Sequence, residues 1–426
     1  MREFSKELDS EYIIDGSRME MTPRQILDEA TGCHSCGPET CGVEPIVDES
    51  VDPTLETSPF RAAEIHDYLR VTASSSAAPR NIPAFCPEEV TKTEIASALL
   101  ETIWKSGHFR LDDLAVEISW EWAPEPVGNM SSFYRSVSAA CEYLDFLGVR
   151  LSGYSFRRGN CCRIHIKVKV NAAGSSSFTS DFPDMPFRTQ NPELSTERKC
   201  PSAISEDKNN WLIYIPFDTA KFRLGGSLLS EVTGISGGRA PELVDSDYFI
   251  DCYEVVREFV EDGVVVSGVT SCRGGLMNAL SELAGANSGI QADLSGVIRS
   301  YGESDIVKIL FGEIPGAVLE IKDSDFDYVD AEMLLQDVAY YPLGHPGGTG
   351  IDIFTDRKDV QYISRLVAND EIAKSDYNLS VSTYVEQEDT RERIDIVKLN
   401  AELQEIVSRE NILRAEIDKI INEIEI

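Results

Sequence analysis

Residues 247–284 set the strictest conditions on the fold, because they demand four elements in a fixed order. The segment reads DYFIDCYEVVREFVEDG, then VVVSGVTSCRGG, then LMNALSELA. Ile250, Tyr253, Val256 and Val260 recur near the helical period, with Arg257 on the polar side. Val264, Val265 and Val266 form a β-branched run suited to a buried strand. Gly274 and Gly275 then stand at the mouth of a second helix, where backbone amides point outward and a side chain would block close approach. Phosphates commonly bind at such a place. The same Gly-Gly also serves a chain that needs only a turn or close helix packing.

The preceding region reads as α/β. A helix is predicted over 88–106, stopped by Gly107, and a strand over 114–120. A second helix over 131–147 ends at Gly148, and strands follow over 149–156 and 163–170. The last of these, RIHIKVKV, alternates with period two, so one face is wet. His165 lies on that face with Arg163, Lys167 and Lys169 and is predicted to be an exposed histidine. Residues 171–210 are polar and Ser/Pro-rich, a lid, an interface arm or an inter-domain linker. A strand over 211–217 leads into Leu224-Gly225-Gly226-Ser227. His345, in the turn cluster YYPLGHPGGTG, is predicted to sit in a loop closing the last strand.

Residues 1–80 read as an acidic extension, with short helices expected at 23–30 and 59–68, each opened by proline. Domains are expected at 81–220 and 221–375, followed by a helix over 390–426. In that tail Ile396, Leu399, Leu403, Ile406, Leu413, Ile417, Ile420 and Ile424 keep an a/d repeat broken at Glu410. The repeat predicts homo-oligomerisation through a coiled coil; a single amphipathic helix on its own globular domain is the alternative.

The 39 basic and 73 acidic residues give a formal charge of −34. Such a chain repels nucleic-acid backbones and anionic membranes. No apolar run approaches the ~20 residues a membrane helix needs, and the first residues lack a secretory apolar core, so a cytoplasmic location is expected. The ten cysteines then read as reduced thiols. Cys33, His34, Cys36 and Cys41 have partial zinc-like spacing, but no second ligand pair follows, so free thiols are expected and no metal is assigned.

The order helix, strand, V-T-S-C-R-G-G-L, helix resembles the second domain of the AIR synthetase-like superfamily, in particular the formylglycinamide ribonucleotide amidotransferase (FGAM synthase) family. That family carries an H-D-x-S-D-G-G-L type signature there. Leu224-Gly225-Gly226-Ser227 upstream and Leu310-Phe311-Gly312-Glu313 downstream match in order and distance. SSFYRSVSAACEYLDFLGVRLSGYSF resembles a helix and strand of the first domain. The likeness spans roughly residues 90–350.

The resemblance implies a two-domain α/β (α+β) fold of the AIR synthetase type, with the N-terminal extension and coiled-coil tail added. It also implies an amidine-forming ligase of purine synthesis that uses ATP and magnesium. On that reading Gly225, Gly226, Ser227, Gly274 and Gly275 cradle phosphate through backbone amides, and Glu313 orients a ligand or braces the fold. The chain has no recognisable glutaminase, so a partner subunit is implied.

Two departures keep other readings open. Where the family has two acidic positions this chain has Thr270 and Arg273, and neither can hold a metal as a carboxylate does. The first half also lacks D-G-x-G-T-K and G-G-K-T-R-D elements. The alternatives are a catalytically degenerate relative serving as a structural or interaction subunit, and another ATP enzyme of the superfamily.

Overall fold

The computed structural model describes residues 5–32, 59–76, 80–126, 128–170, 200–285, 288–348 and 350–355, the backbone of 41–45, and Arg409 and Arg414. The heptad repeat of residues 396–424, the Cys33, His34 and Cys36 cluster and most of the 171–210 segment lie outside the described residues. Met1–Asp356 forms one compact unit and Arg357–Ile426 another. Among the described residues no helix is long and apolar enough to cross a membrane.

The chain opens with α1 (Lys6–Asp9) and β1 (Ser10–Ile14). The latter pairs antiparallel with β2 (Ser17–Arg18), and α2 (Pro23–Ala30) follows. A capping box starts α2 at the predicted place: Thr22 Oγ1 accepts from Gln25 N, and Gln25 Oε1 accepts from Thr22 N at 2.8 Å. β3 (Cys41–Pro45) adds to β1 in parallel. The next helix, α3 (Ile65–Ser75), starts later than predicted. Arg61 keeps an extended backbone, and Phe60 is buried edge-on against Tyr68 with ring centroids 5.5 Å apart. Burial of that ring outweighs the helix-start signal of Pro59.

The first α/β layer consists of α4 (Pro87–Lys105), β4 (Leu114–Trp122), α5 (Gly128–Phe146), β5 (Arg150–Arg158) and β6 (Arg163–Val170). β4 is central, parallel to β5 and antiparallel to β6. One face packs on α4 and α5: Trp120 and Trp122 are buried with Phe133, 6.4 and 5.7 Å between ring centroids. The other face is polar, as the period-two pattern demands. His165 is exposed there, and Glu121 pairs with Arg157 at 2.7 Å.

The second sheet begins with β7 (Trp211–Pro216), and the chain then runs through α6 (Leu228–Thr233), α7 (Ser246–Asp262), β8 (Val265–Ser271) and α8 (Gly275–Ala284). It continues with β9 (Ile290–Asp293), α9 (Ser295–Tyr301), α10 (Ile306–Phe311) and β10 (Gly316–Ile321). It closes with α11 (Phe326–Leu335), β11 (Tyr341–Pro346) and β12 (Ile351–Phe354). The strand order is β12-β9-β11-β7-β10-β8. Helices cover both faces, so β7 and β10 are almost wholly apolar. Ile213, Ile215, Ala317 and Leu319 join a core shared with α4, α5 and α7. Leu212, Tyr214 and Val318 point the other way, into a core with α8 and α10. The buried exception is Glu320, which accepts from Ser205 N at 2.9 Å, Asn210 Nδ2 at 2.8 Å and Ser267 Oγ at 2.7 Å.

Two further expectations change. Arg257, expected on the polar side of its helix, is 4% exposed. Its guanidinium is ringed by Glu254, Glu258 and Glu261 of the same helix at 2.7–3.2 Å, which is what permits its burial. His345 lies inside β11 and not in a loop. Its Nδ1 donates to the Asn210 carbonyl at 2.9 Å, and its ring lies 4.1 Å from that of Trp211.

Candidate functional site

The turn 224–227 starts α6, the turn 272–274 starts α8, and Glu313 follows α10 at the approach to β10. The fold brings the three together. Gly225 closes the first turn by donating its N–H to Arg239 O at 2.8 Å. A Cβ there would lie 2.1 Å from Gly238 O, so only glycine fits. Ser227 caps α6, its Oγ accepting from Ser230 N. Gly275 opens α8 at φ +71°, where a Cβ would lie 2.5 Å from Leu310 O and 2.7 Å from Phe311 Cα. Close approach of α8 to α10 therefore explains this glycine.

Glu313 occupies the space between the two helix starts. Its Oε1 accepts from Leu228 N at 2.7 Å and from Gly274 N at 2.8 Å. Its Oε2 faces Arg80 Nη2 at 2.6 Å, and both side chains are buried, 2% and 3% exposed. Arg80 Nη1 reaches Glu94 Oε1 at 2.9 Å, and Nη2 also donates to the Gly226 carbonyl. Burial works against the Arg80 charge, but Glu313 and Glu94 overcome it and hold its pKa above the ordinary arginine value. Burial pushes the Glu313 carboxyl up, against the opposite pull of Arg80 and the two amides.

The surroundings are closed. Cys272, in the turn before α8, donates its thiol to Thr93 O at 3.4 Å, and burial holds the thiol well above its ordinary pKa. Thr270 accepts the indole N–H of Trp104 on its Oγ1 at 2.9 Å. Trp104 packs over Gly268, where a Cβ would lie 2.5 Å from the indole ring. The residue at the family's acidic position is thus spent on a junction between α4 and β8.

All six predicted binding residues meet in one place, and the arrangement holds one anion. That anion is the chain's own carboxylate. The amides of Gly225, Ser227, Leu228, Gly274 and Gly275 donate to Arg239 O, Leu224 O, Glu313, Glu313 and Cys272 O respectively. A nucleotide triphosphate does not fit these donors as they stand, because each already has an acceptor within the chain. Among the described residues no group of three or more His, Cys, Asp or Glu side chains is placed to hold a metal. Arg80 and Glu94 escaped the sequence reading. A lone arginine in a proline-flanked segment, APRNIP, carries no periodic signal, and only the fold shows that it is buried.

Three relatives align with the chain. Probable phosphoribosylformylglycinamidine synthase of Arabidopsis thaliana is 27% identical over 262 residues, 61% of this chain and 17% of the relative. Phosphoribosylformylglycinamidine synthase of Homo sapiens is 26% identical over 267 residues, 62% and 19% of the two chains. Subunit PurL of Methanocaldococcus jannaschii is 32% identical over 165 residues, 38% and 22%. The chain is similar in sequence to phosphoribosylformylglycinamidine synthases. It spans about a fifth of the length of these curated relatives.

A solved structure of PurL from Thermotoga maritima complexed with FGAR aligns at TM-score 0.47 and 13% identity, covering 68% of this chain and 47% of that one. A family model described as N-6 DNA Methylase matches residues 348–393. That match takes in β12 and covers only about a tenth of the chain, so it shows no family for it.

Proposed function

We propose that the chain is a component of an FGAM synthase-type ligase, which converts an amide to an amidine at the expense of ATP, with magnesium as the companion ion. Support comes from sequence similarity over about 260 residues to proteins of that name. The matched glycine turns and the LFGE element also converge on one buried point, which a chance match of scattered motifs would not require.

In this reading the cradle is a brace. The Glu313 carboxylate ties the starts of α6 and α8 together, and Arg80 ties both to the segment that precedes α4. A nucleotide then makes its contacts outside these five amides. Because the chain spans about a fifth of its relatives, the complete reaction calls for further segments or a partner subunit. The oligomer read from the 396–424 repeat belongs to the same proposal.

The test is product formation. The purified chain is incubated with ATP, magnesium, an ammonium salt and phosphoribosylformylglycinamide, and the mixture is read by mass spectrometry. Phosphoribosylformylglycinamidine and ADP in equal amounts support the reading. Neither product, with saturable ATP binding retained, would place the missing step in further segments or a partner; neither product and no ATP binding would leave the chain as a structural subunit.

A further inference from the structure

The strand RIHIKVKV takes no part in the site built from the glycine turns. It is β6, an outer strand of the three-stranded sheet β5-β4-β6. Register places Arg163, His165, Lys167 and Lys169 on the open face of that sheet, beside Glu121, Ser119, Glu117 and Ala115 of β4. β5 adds Arg150 and Arg157 to the same face. Five cations therefore stand with two carboxylates, on a chain whose formal charge is −34. Each carboxylate is shared. Glu117 pairs with Lys169 at 2.5 Å, and both Lys169 and Lys167 lower its pKa. Glu121 pairs with Arg157 at 2.7 Å and is also drawn on by Arg163, whose Nε donates to the neutral Asn81 Oδ1 at 3.1 Å. Among the described residues no carboxylate lies within ion-pair distance of Arg150 or Lys167.

The edge of β6 is open as well. Ile82 N donates to Cys162 O at 2.7 Å just before the strand, and beyond that point no other described segment gives a backbone bond to the outer side of residues 163–170. Ile166, Val168 and Val170, on the opposite face, are only partly buried against the core. An added strand would cover them. Lysine on an edge works against pairing with a like strand, and a second β6 would set cation opposite cation. The same row favours a strand with Asp or Glu at alternate positions, about 6.7 Å apart, and apolar residues between them. A nucleic-acid strand fits less well. The open face carries no Phe, Tyr or Trp ring on which bases could stack, since Tyr154 and Phe156 share the face of Ile118 and Trp120. A long polyanion would also run off the cationic patch onto an acidic chain.

We propose that β6 is a docking edge for an extended acidic segment of a partner protein, in which carboxylates alternate with apolar side chains. The inference is independent of the glycine turns and of the ligase reading.

Fluorescence anisotropy follows a capped, fluorescein-labelled peptide of alternating Glu and Val, eight residues long like β6, titrated with the full chain at constant ionic strength. It should bind saturably at one site. A peptide of the same composition with Glu and Val in separate blocks should bind about tenfold more weakly, because it matches only part of the row. An oligothymidylate of equal charge should bind no better than the block peptide. Lys167→Glu, at an exposed position, should weaken the alternating peptide about tenfold, and Lys167→Arg by less than about twofold. Arg150→Glu, about 10 Å away across the sheet, should weaken it by about twofold or less. The proposal is overturned by no saturable binding to the wild type, by equal affinity for the block peptide, or by unchanged affinity in Lys167→Glu. An equal loss in Arg150→Glu would also overturn it, since the face would then attract acid without an added strand. Tighter binding of the oligothymidylate would overturn it in favour of a nucleic-acid surface.

Discussion

Arg80 sets its guanidinium 2.6 Å from the Glu313 carboxylate, where each side chain is almost wholly buried. The pair joins the segment before α4 to the starts of two helices of the second sheet. Breaking it from one side leaves an uncompensated buried charge, which typically costs about 3–5 kcal/mol. Arg80→Met, which orphans the buried Glu313, should lower stability by roughly that amount in urea unfolding, and Glu313→Gln by less, because Arg80 keeps Glu94 at 2.9 Å. The double variant should lose less than the sum, by 1 kcal/mol or about that, because neither charge is then orphaned. Strict additivity would show that the two residues act independently.

The glycine at the head of α8 offers a sharper test of the packing account. Gly275→Ala must bear a left-handed backbone, worth about 1–2 kcal/mol, and a clash with Leu310 O and Phe311 Cα. Gly302→Ala has a similar φ of +61° and meets no atom within 4 Å. The first variant should therefore melt several degrees below the second, and equal melting temperatures would mean that α8 does not press on α10 as described.

Much of this architecture was legible in the sequence. The helix, strand, turn and helix of 247–284 appear in their predicted order, and β6 has its predicted bounds. Periodicity carries such elements because one face of each is buried. Arg257 was missed because its burial depends on three glutamates placed by the helix itself, and the pattern of apolar residues registers no such screen. For the cradle, sequence identified the glycines and the acid but not their mutual use. Which acceptor an amide finds depends on what folds against it, and Glu313 arrives from 39 residues beyond Gly274.

The thiols should divide by burial. Cys86, Cys252 and Cys272 are buried and their pKa values raised by it, and Cys141 is pushed up to about 12. Cys161 and Cys162 are half-buried. Since thiolate is the reactive form and reagent access is needed, iodoacetamide at pH 8 under native conditions should label the peptide carrying Cys161 and Cys162, where burial raises the thiol of Cys162, well before those carrying the buried Cys86, Cys141, Cys200, Cys252 and Cys272. Mass-spectrometric mapping over time reads the order directly, and early labelling of Cys272 would contradict a closed cradle.

Glu7 gives the pH dependence a sign. Burial alone would raise its carboxyl, but backbone bonding, Arg158 and Ser5 overcome that and hold it below the ordinary 4.5. A depressed folded-state value adds stability above the unfolded pKa and loses it as pH falls through the folded one. The melting-temperature advantage of wild type over Glu7→Gln should thus be full at pH 6–7, about two units above 4.5, and should fade only as the pH falls below it. A gap that widened on acidification would reverse the assignment.

The central claim is that Glu313 fills the cradle as a brace, so that a nucleotide binds elsewhere on the chain. Its most direct test is calorimetric titration of ATP and magnesium into wild type and Glu313→Gln, both held well below the unfolding onset of the variant and checked for native circular dichroism. The account predicts saturable binding to wild type and the same affinity, within about twofold, for the variant. Loss of binding in a folded Glu313→Gln protein would make Glu313 part of the nucleotide site, and absence of binding to wild type would contradict the nucleotide reading itself.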